Sequence, residues 1–263
     1  GPNSPSSHSP APRLDGSDFS ALATWQDQVN RGANFANFKV THAYNAFGTP
    51  PDAGFGNDTL TPTVKSLRSK FFFLSHTYDH ELLDDLDYSA AHAELALNND
   101  VAAAMRFSTF TPLNLVTPEI SGLTNPAFLR AAADLGVRYL VSDASKPGYS
   151  NPFPNAGLAN PIERSILMIP RRANNLFYNV VTPADWTAEY NCLYQSYWGR
   201  PLSYDEVLSL ESEQLLGYLL RGDVDPWMFH QPNLVAYDGT HSLFTDLLDR
   251  ALDRYTALYN LPI

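Results

Sequence analysis

The sequence predicts an α/β fold built on a parallel sheet, either open or closed into a barrel. Two observations carry this. Apolar strand-like runs alternate with helix-like segments along nearly the whole chain, the order that a parallel sheet requires. Chemistry-bearing side chains also stand directly after several of those runs: His76 and His80 after FFFLS, Asp143 after RYLVS, and His230 at the end of PWMFH. In parallel α/β folds, chemistry collects at the carboxyl ends of the strands.

The elements follow in order. Residues 17–31 read as a helix, with Ser17 or Asp18 as cap, Leu22, Trp25 and Val29 on one face, and Gly32 as the stop. FKVTHAY (38–44) reads as a strand, 45–59 as a Gly/Pro-rich loop, 61–69 as a short helix, and FFFLS (71–75) as a strand. An Ala-rich helix at 89–105 leads to a strand near 113–117. The helix at 125–135 has Asn125 as cap and Gly136 as stop. RYLVS (138–142), SILMIP (165–170) and LFYNV (176–180) read as strands, with a Pro/Asn/Gly-rich loop at 145–161. Helices at 183–195 and 203–221 precede a short strand, PWMFH (226–230), and an amphipathic helix at 240–258 closes the chain. Residues 1–12 are Pro/Ser-rich and read as a flexible tail. No repeat or composition break divides 13–263, which reads as one domain.

Bulk properties narrow the partners. With 263 residues, 44% hydrophobic and 17% charged, the chain can bury a sizeable core. A formal charge of −11 makes nucleic acid and anionic membranes poor partners. Cys192 is the single cysteine, so neither an intramolecular disulfide nor a cysteine-rich zinc site is available. No apolar stretch reaches the ~18 residues that a membrane span needs. The opening residues lack the apolar core of a signal peptide.

The pair His76-x-x-x-His80 offers two imidazoles four positions apart, a spacing that suits zinc or a related divalent ion. Thr77 stands where a zincin protease has glutamate, which argues against that class. A solvated loop is the competing reading of the pair. His230 suits a general acid, or a histidine hydrogen-bonded to a nearby carbonyl. Asp143 suits a ligand, an orienting carboxylate or a turn cap. Arg171 and Arg172 suit an anion site or a surface ion pair, and Asp84, Asp85 and Asp87 a solvated turn.

Ser75-His76-Thr77-Tyr78-Asp79-His80 resembles the second motif of the NodB-type polysaccharide deacetylases. The stretch from Ser121 and Gly122 to Ala132 resembles the end of the third motif and its helix. Leu140-Val141-Ser142-Asp143 sits where the fourth would be, and Met228-Phe229-His230 resembles the fifth. The segments PRRANNLFYN, DPWMFHQPNL and NLPI are similar to the branch typified by fungal galactosaminogalactan deacetylases.

This resemblance implies a distorted (β/α) barrel that hydrolyses N-acetyl groups of an amino-sugar polysaccharide with the help of a divalent metal, zinc by expectation. It implies His76 and His80 as metal ligands and His230 as the acid that protonates the leaving amine. Thr77, Asp79, Asp143, Ser121, Gly122 and Arg171 would bind substrate or support the site. It further implies action outside the cell or at its surface; a monomer is expected.

The chain departs from the pattern in two places. No strand ending in the family's first-motif Asp-Asp pair is found: either the chain begins after that strand and the barrel lacks it, or the chain is a diverged member of the family. The third-motif arginine and aromatic fall at Pro118 and Ser121. Asp58, Asp79, Asp143 and Glu119 are the candidates to replace the missing carboxylate. Two alternatives remain open: a carbohydrate-binding relative without the general base, and an unrelated metal amidohydrolase, for which His42 is the only further histidine in a plausible place.

Overall fold

The computed structural model describes residues 12–49 and 58–262. The tail at 1–12, apart from Pro12, lies outside them, as does part of the loop read at 45–59. The chain divides into two compact units. One holds residues up to 38, 174–224 and 228 onward, and the other holds 39–173 and 225–227.

The second unit carries the sheet. Its strands are β1 (Thr41–Tyr44), β2 (Phe72–Ser75), β3 (Phe110–Leu115), β4 (Tyr139–Asp143), β5 (Leu158–Ala159) and β6 (Leu167–Arg171). They lie in the order β1-β2-β3-β4-β6-β5, all parallel except β5 against β6. The α/β class and the parallel pairing of β1, β2, β3, β4 and β6 match expectation. Among the described residues the strands do not close into a ring, so the sheet is open.

Three helices of this unit are α2 (Leu60–Leu67), α3 (Tyr88–Ala104) and α4 (Pro126–Asp134). Asn125 caps α4 as expected, accepting from the Ala127 N–H at 3.0 Å with Pro126 at the first helical position. One core runs from α3 (Ala91, Leu95) and α4 (Phe128, Leu129, Ala131, Ala132) onto Leu115, Leu140 and Met168 of the strands. The other strand face is apolar too. Leu74, Tyr139, Val141 and Ile169 line a hollow of about 350 Å³ with Asn114, Leu115 and Pro226. Strands apolar on both faces read as continuous runs rather than alternations, hence FFFL.

The first unit is helical, with α1 (Gly16–Val29), α5 (Pro183–Trp198), α6 (Tyr204–Leu220) and α7 (Leu243–Leu258). Capping boxes start all four: Asp15 with Asp18, Thr182 with Asp185, Ser203 with Glu206 and Ser242 with Thr245. The cap of α1 is therefore Asp15, not Ser17 or Asp18. Trp25 packs edge-on to Phe38 and Phe244 at 5.8 and 5.4 Å, and its indole N–H donates to Asp249 at 2.7 Å. Trp186 is fully buried and donates to the Asn175 carbonyl at 2.7 Å.

Two expected strands are absent among the described residues. Residues 176–180 form a turn, and 226–230 contribute a single bridge, Arg172 to Trp227. Pro226 lacks the N–H a longer ladder would need.

His42 of β1 lies among Phe71 and Phe73, at 4.9 and 5.6 Å between ring centres, and desolvation pushes its pKa down to about 4. The folded chain thus binds fewer protons than the unfolded chain between pH 6.5 and 4, so stability falls as pH drops through that window. Each pKa unit is worth about 1.4 kcal/mol, and the residue as a whole is only half-buried, so we expect a loss of about 1–2 kcal/mol. Urea unfolding at pH 7.5 and 4.5 checks this, with His42→Phe showing the smaller pH dependence.

Candidate active site

β2 ends at Ser75, and the His76 N–H still donates to the Tyr44 carbonyl at 2.9 Å, so the chain leaves the sheet only after His76. Imidazole Nδ1 of His76 lies 2.8 Å from the Val116 carbonyl oxygen. A carbonyl only accepts, so Nδ1 carries the proton and Nε2 presents its lone pair. Burial pushes this ring down to about 4. The bond to Val116 opposes that shift, and the charges of His80 and Arg171 add to it. The imidazole is therefore neutral at pH 7.

A break in the ladder puts Val116 there. Leu74 pairs with Thr111, but Ser75 pairs with Leu115, a jump that takes in Pro112, which has no N–H to donate. The ladder resumes with Val116 N–H donating to the Ser75 carbonyl at 3.0 Å, and the Val116 carbonyl meets His76. Irregularities of this kind re-aim groups beside functional sites.

The loop onward is left-handed at two non-glycine residues, Thr77 (φ 64°) and His80 (φ 72°). His80 stands edge-to-face with His76, 4.9 Å between ring centres. Thr77 is fully buried, and its hydroxyl has no hydrogen-bond partner among the described residues. The Thr77 carbonyl accepts from Asn45 Nδ2 at 3.1 Å.

α3 supplies two side chains that the sequence reading missed. Asn98 Nδ2 donates to the Tyr44 carbonyl and to Ser75 Oγ, both at 2.9 Å. Glu94 Oε2 accepts from the Tyr78 and Asp79 N–H groups, both at 3.1 Å. Burial pushes the Glu94 carboxyl up, with the Asp79 charge adding to the shift. Their signal in the sequence was a Glu-x-x-x-Asn pair on the apolar stripe of an Ala-rich helix, beside Ala91 and Leu95.

Ser121 and Gly122 hold the segment after His80. Ser121 Oγ donates to the Pro118 carbonyl at 2.6 Å and accepts from Leu83 N–H at 3.0 Å. Gly122 N–H donates to Asp84 at 2.7 Å, and Asn125 Nδ2 donates to the Leu83 and Leu86 carbonyls at 2.7 and 2.8 Å. Asp84 and Asp87 are thus bonded rather than merely solvated, since Asp87 accepts from Ala90 N–H at 2.9 Å at the start of α3.

Asp143 and Arg171 are register partners at the ends of β4 and β6 and form an ion pair at 3.8 Å. Burial pushes Asp143 up, but Ser145 donates to it twice and the charges of Arg171 and Lys146 add to that, leaving the carboxyl below its usual range. Burial pulls the Arg171 guanidinium down, against the charges of Asp143 and Glu119. Glu119 sits in a left-handed turn with Ile120, φ 54° and 53°. Asp58 is occupied at the start of α2, accepting from Leu60 and Thr61 N–H groups at 2.9 and 3.1 Å. The surface pairing considered for Arg172 is instead an ion pair with buried Asp225 at 2.8 Å.

His76, His80, Asp143 and Arg171 thus belong to the carboxyl ends of strands in one unit. His230 belongs to the other unit. There its N–H donates to Asn233 Oδ1 at 2.9 Å, and its ring meets Tyr178 at 6.0 Å. Asn174 Nδ2 pins the preceding segment through the Met228 carbonyl at 2.7 Å.

A neutral imidazole whose Nδ1–H is held by a carbonyl is the usual state of a zinc-ligating histidine. His76 meets that condition, and the His80 ring stands beside it, 4.9 Å between ring centres. Among the described residues no group of three His, Cys, Asp or Glu side chains could hold a metal ion.

Comparisons with known proteins bear on the same region. The family model described as the Agd3 deacetylase domain matches residues 55–248. No curated protein matched the chain. Among solved structures, "Crystal structure of Agd3 a novel carbohydrate deacetylase" superposes with a TM-score of 0.82 at 21% identity, over 95% of this chain and 48% of that one. This chain therefore spans about half the length of that structure, and the likeness at this identity is one of fold. The Streptococcus pyogenes deacetylase PplD, solved with acetate, gives 0.38 at 18% identity over 51% of this chain and 53% of that one. The alpha-amylase AmyC from Thermotoga maritima gives 0.46 at 11% identity over 78% and 49%. Neither carries weight for the fold. The family match covers most of the chain, and with the shared fold it places this protein in the Agd3 deacetylase domain family.

Proposed function

We propose that the chain is a metal-dependent polysaccharide N-deacetylase acting on an N-acetylgalactosamine-containing polymer. The observation that carries this is His76: neutral, tautomer-fixed by Val116, at the end of a parallel strand and beside His80. The reaction adds water across the acetamide C–N bond and yields acetate and a free amine. A divalent ion held by His76 and His80 would polarise the acetyl carbonyl and lower the pKa of water to about 7.

The chain's own groups do the rest. Val116 holds His76 in the ligating tautomer. Arg171, tethered loosely by Asp143, offers N–H donors to an oxyanion or to the acetate carboxylate. His230 takes the role of proton donor to the leaving amine on the family resemblance. A polymer of cell wall or matrix would place this work outside the cell.

One observation favours a second reading, a carbohydrate-binding relative without turnover: a third metal-holding side chain is absent among the described residues. The two readings separate on incubation with N-acetylgalactosamine polymer and zinc. Acetate release that a chelator abolishes supports the enzyme. Polymer binding without acetate, at any zinc concentration, overturns it.

A further inference from the structure

The His76–His80 loop needs outside support. Both Thr77 and His80 sit at positive φ, a region that L side chains seldom adopt and that costs most for a β-branched residue such as threonine. Such a loop persists only when its surroundings over-determine it. In this conformation the consecutive N–H groups of Tyr78 and Asp79 converge on one side, a small anion-binding concavity. A single oxygen fills it, Glu94 Oε2, at 3.1 Å from each nitrogen.

Glu94 reaches this point from the middle of α3, a rigid and well-anchored element. Asp87 caps α3, and Ala91, Leu95, Asn98 and Ala102 are buried along it. One turn further on, Asn98 grips the strand end through Ser75 Oγ and the Tyr44 carbonyl. His76 therefore lies between two grips of one helix, Asn98 on the residue before it and Glu94 on the residues beyond Thr77. His80 follows directly on the residue that Glu94 holds.

We propose that Glu94 is the positioning residue of the histidine pair: its carboxylate oxygen, by accepting from Tyr78 and Asp79, sets the loop conformation that brings the His76 and His80 rings to face a common ligand. The proposal rests on the metal reading above for its functional meaning and on the hydrogen bonds alone for its structural content. What matters is the reach of an acceptor oxygen, not its charge. Glutamine retains that oxygen at the same distance from the backbone. Aspartate retains the charge but withdraws the oxygen by one methylene.

The test compares Glu94→Gln, Glu94→Asp and Glu94→Ala in the full chain, with unfolding curves to establish that each is folded. Zinc affinity is measured by competition with a chromophoric chelator, and hydrogen exchange is followed at the Tyr78 and Asp79 amides. Glu94→Ala and Glu94→Asp are expected to lose about 10–100-fold in zinc affinity, the usual effect of removing a partner that orients ligands. Their two amides should exchange at least about tenfold faster. Glu94→Gln should stay within about threefold of the parent on both counts. Unchanged amide protection and zinc affinity in Glu94→Ala would overturn the proposal, as would rescue by aspartate but not by glutamine. Should Glu94→Ala fail to fold, the Gln and Asp variants decide. A parent protein that binds no zinc would overturn the metal reading instead. The amide exchange and the ring ¹⁵N resonances of His76 and His80 would then judge Glu94 on their own.

Discussion

His76→Ala should lower zinc affinity and acetate release by more than about 100-fold, beyond the 10–100-fold typical of a residue that merely orients a ligand. The residue as a whole is half-buried, so the fold should survive its truncation. Its removal leaves the Val116 carbonyl without the hydrogen bond it accepts at 2.8 Å, a cost of about 1–2 kcal/mol. A small loss of stability beside a large loss of metal binding is the signature of a ligand. The reverse, a large loss of stability with zinc affinity intact, would mark His76 as structural. Isothermal titration with zinc, run beside urea unfolding of the same samples, separates the two.

Gly122→Ala should be among the most destabilising single changes in the unit that carries the sheet. Gly122 sits at φ +78°, and an added Cβ would lie 2.7 Å from a Phe128 ring carbon and 2.8 Å from Leu83 Cβ. Phe128 and Leu83 are both fully buried, and Phe128 belongs to a helix, so neither can step aside cheaply. The left-handed backbone costs about 1–2 kcal/mol for any L side chain, and forced overpacking adds about 1–3. We expect about 3–4 kcal/mol in all, a fall in Tm of roughly 10 °C for a chain of this size. Gly136→Ala is the control. Gly136 has φ +89° with nothing within 4 Å, so only the backbone cost of about 1–2 kcal/mol should appear. Equal losses in the two variants would show that the clash is relieved by movement of the 83–86 segment.

What could be read from the sequence, and what could not, divides along a physical line. Helix starts and stops were legible where caps are local, as at Asn125 and Gly136. The cap of α1 was misplaced by a few positions because Asp15, Ser17 and Asp18 are all cap formers, and the choice falls to a reciprocal bond between Asp15 and Asp18. LFYNV and PWMFH have strand composition, but a strand needs a neighbour, and none is offered to 176–180 among the described residues. β5 is only Leu158–Ala159, too short to leave a periodic trace.

The candidate site shows the same division. His76 and His80 stood out because a strand run stopped on them. The shift that brings Val116 to His76 depends on how two strands pair, which no local pattern records. Glu94 and Asn98 looked like ordinary polar residues of a helix. They gain meaning only once α3 packs against the end of β2, which puts their side chains on backbone groups that precede them by 15 to 54 positions. The two compact units interleave along the chain at 38, 173, 224 and 227, so no linker composition separates them.

We propose that His76 presents Nε2 to a metal because Val116 holds Nδ1. Imidazole ¹⁵N spectra at pH 7, taken before and during a zinc titration, test it most directly. His76 is expected to begin as the Nδ1–H tautomer, and its Nε2 resonance to move on addition of one equivalent of zinc, together with a ring nitrogen of His80. An Nε2–H tautomer at the outset, or His76 and His80 resonances that ignore zinc, would contradict it.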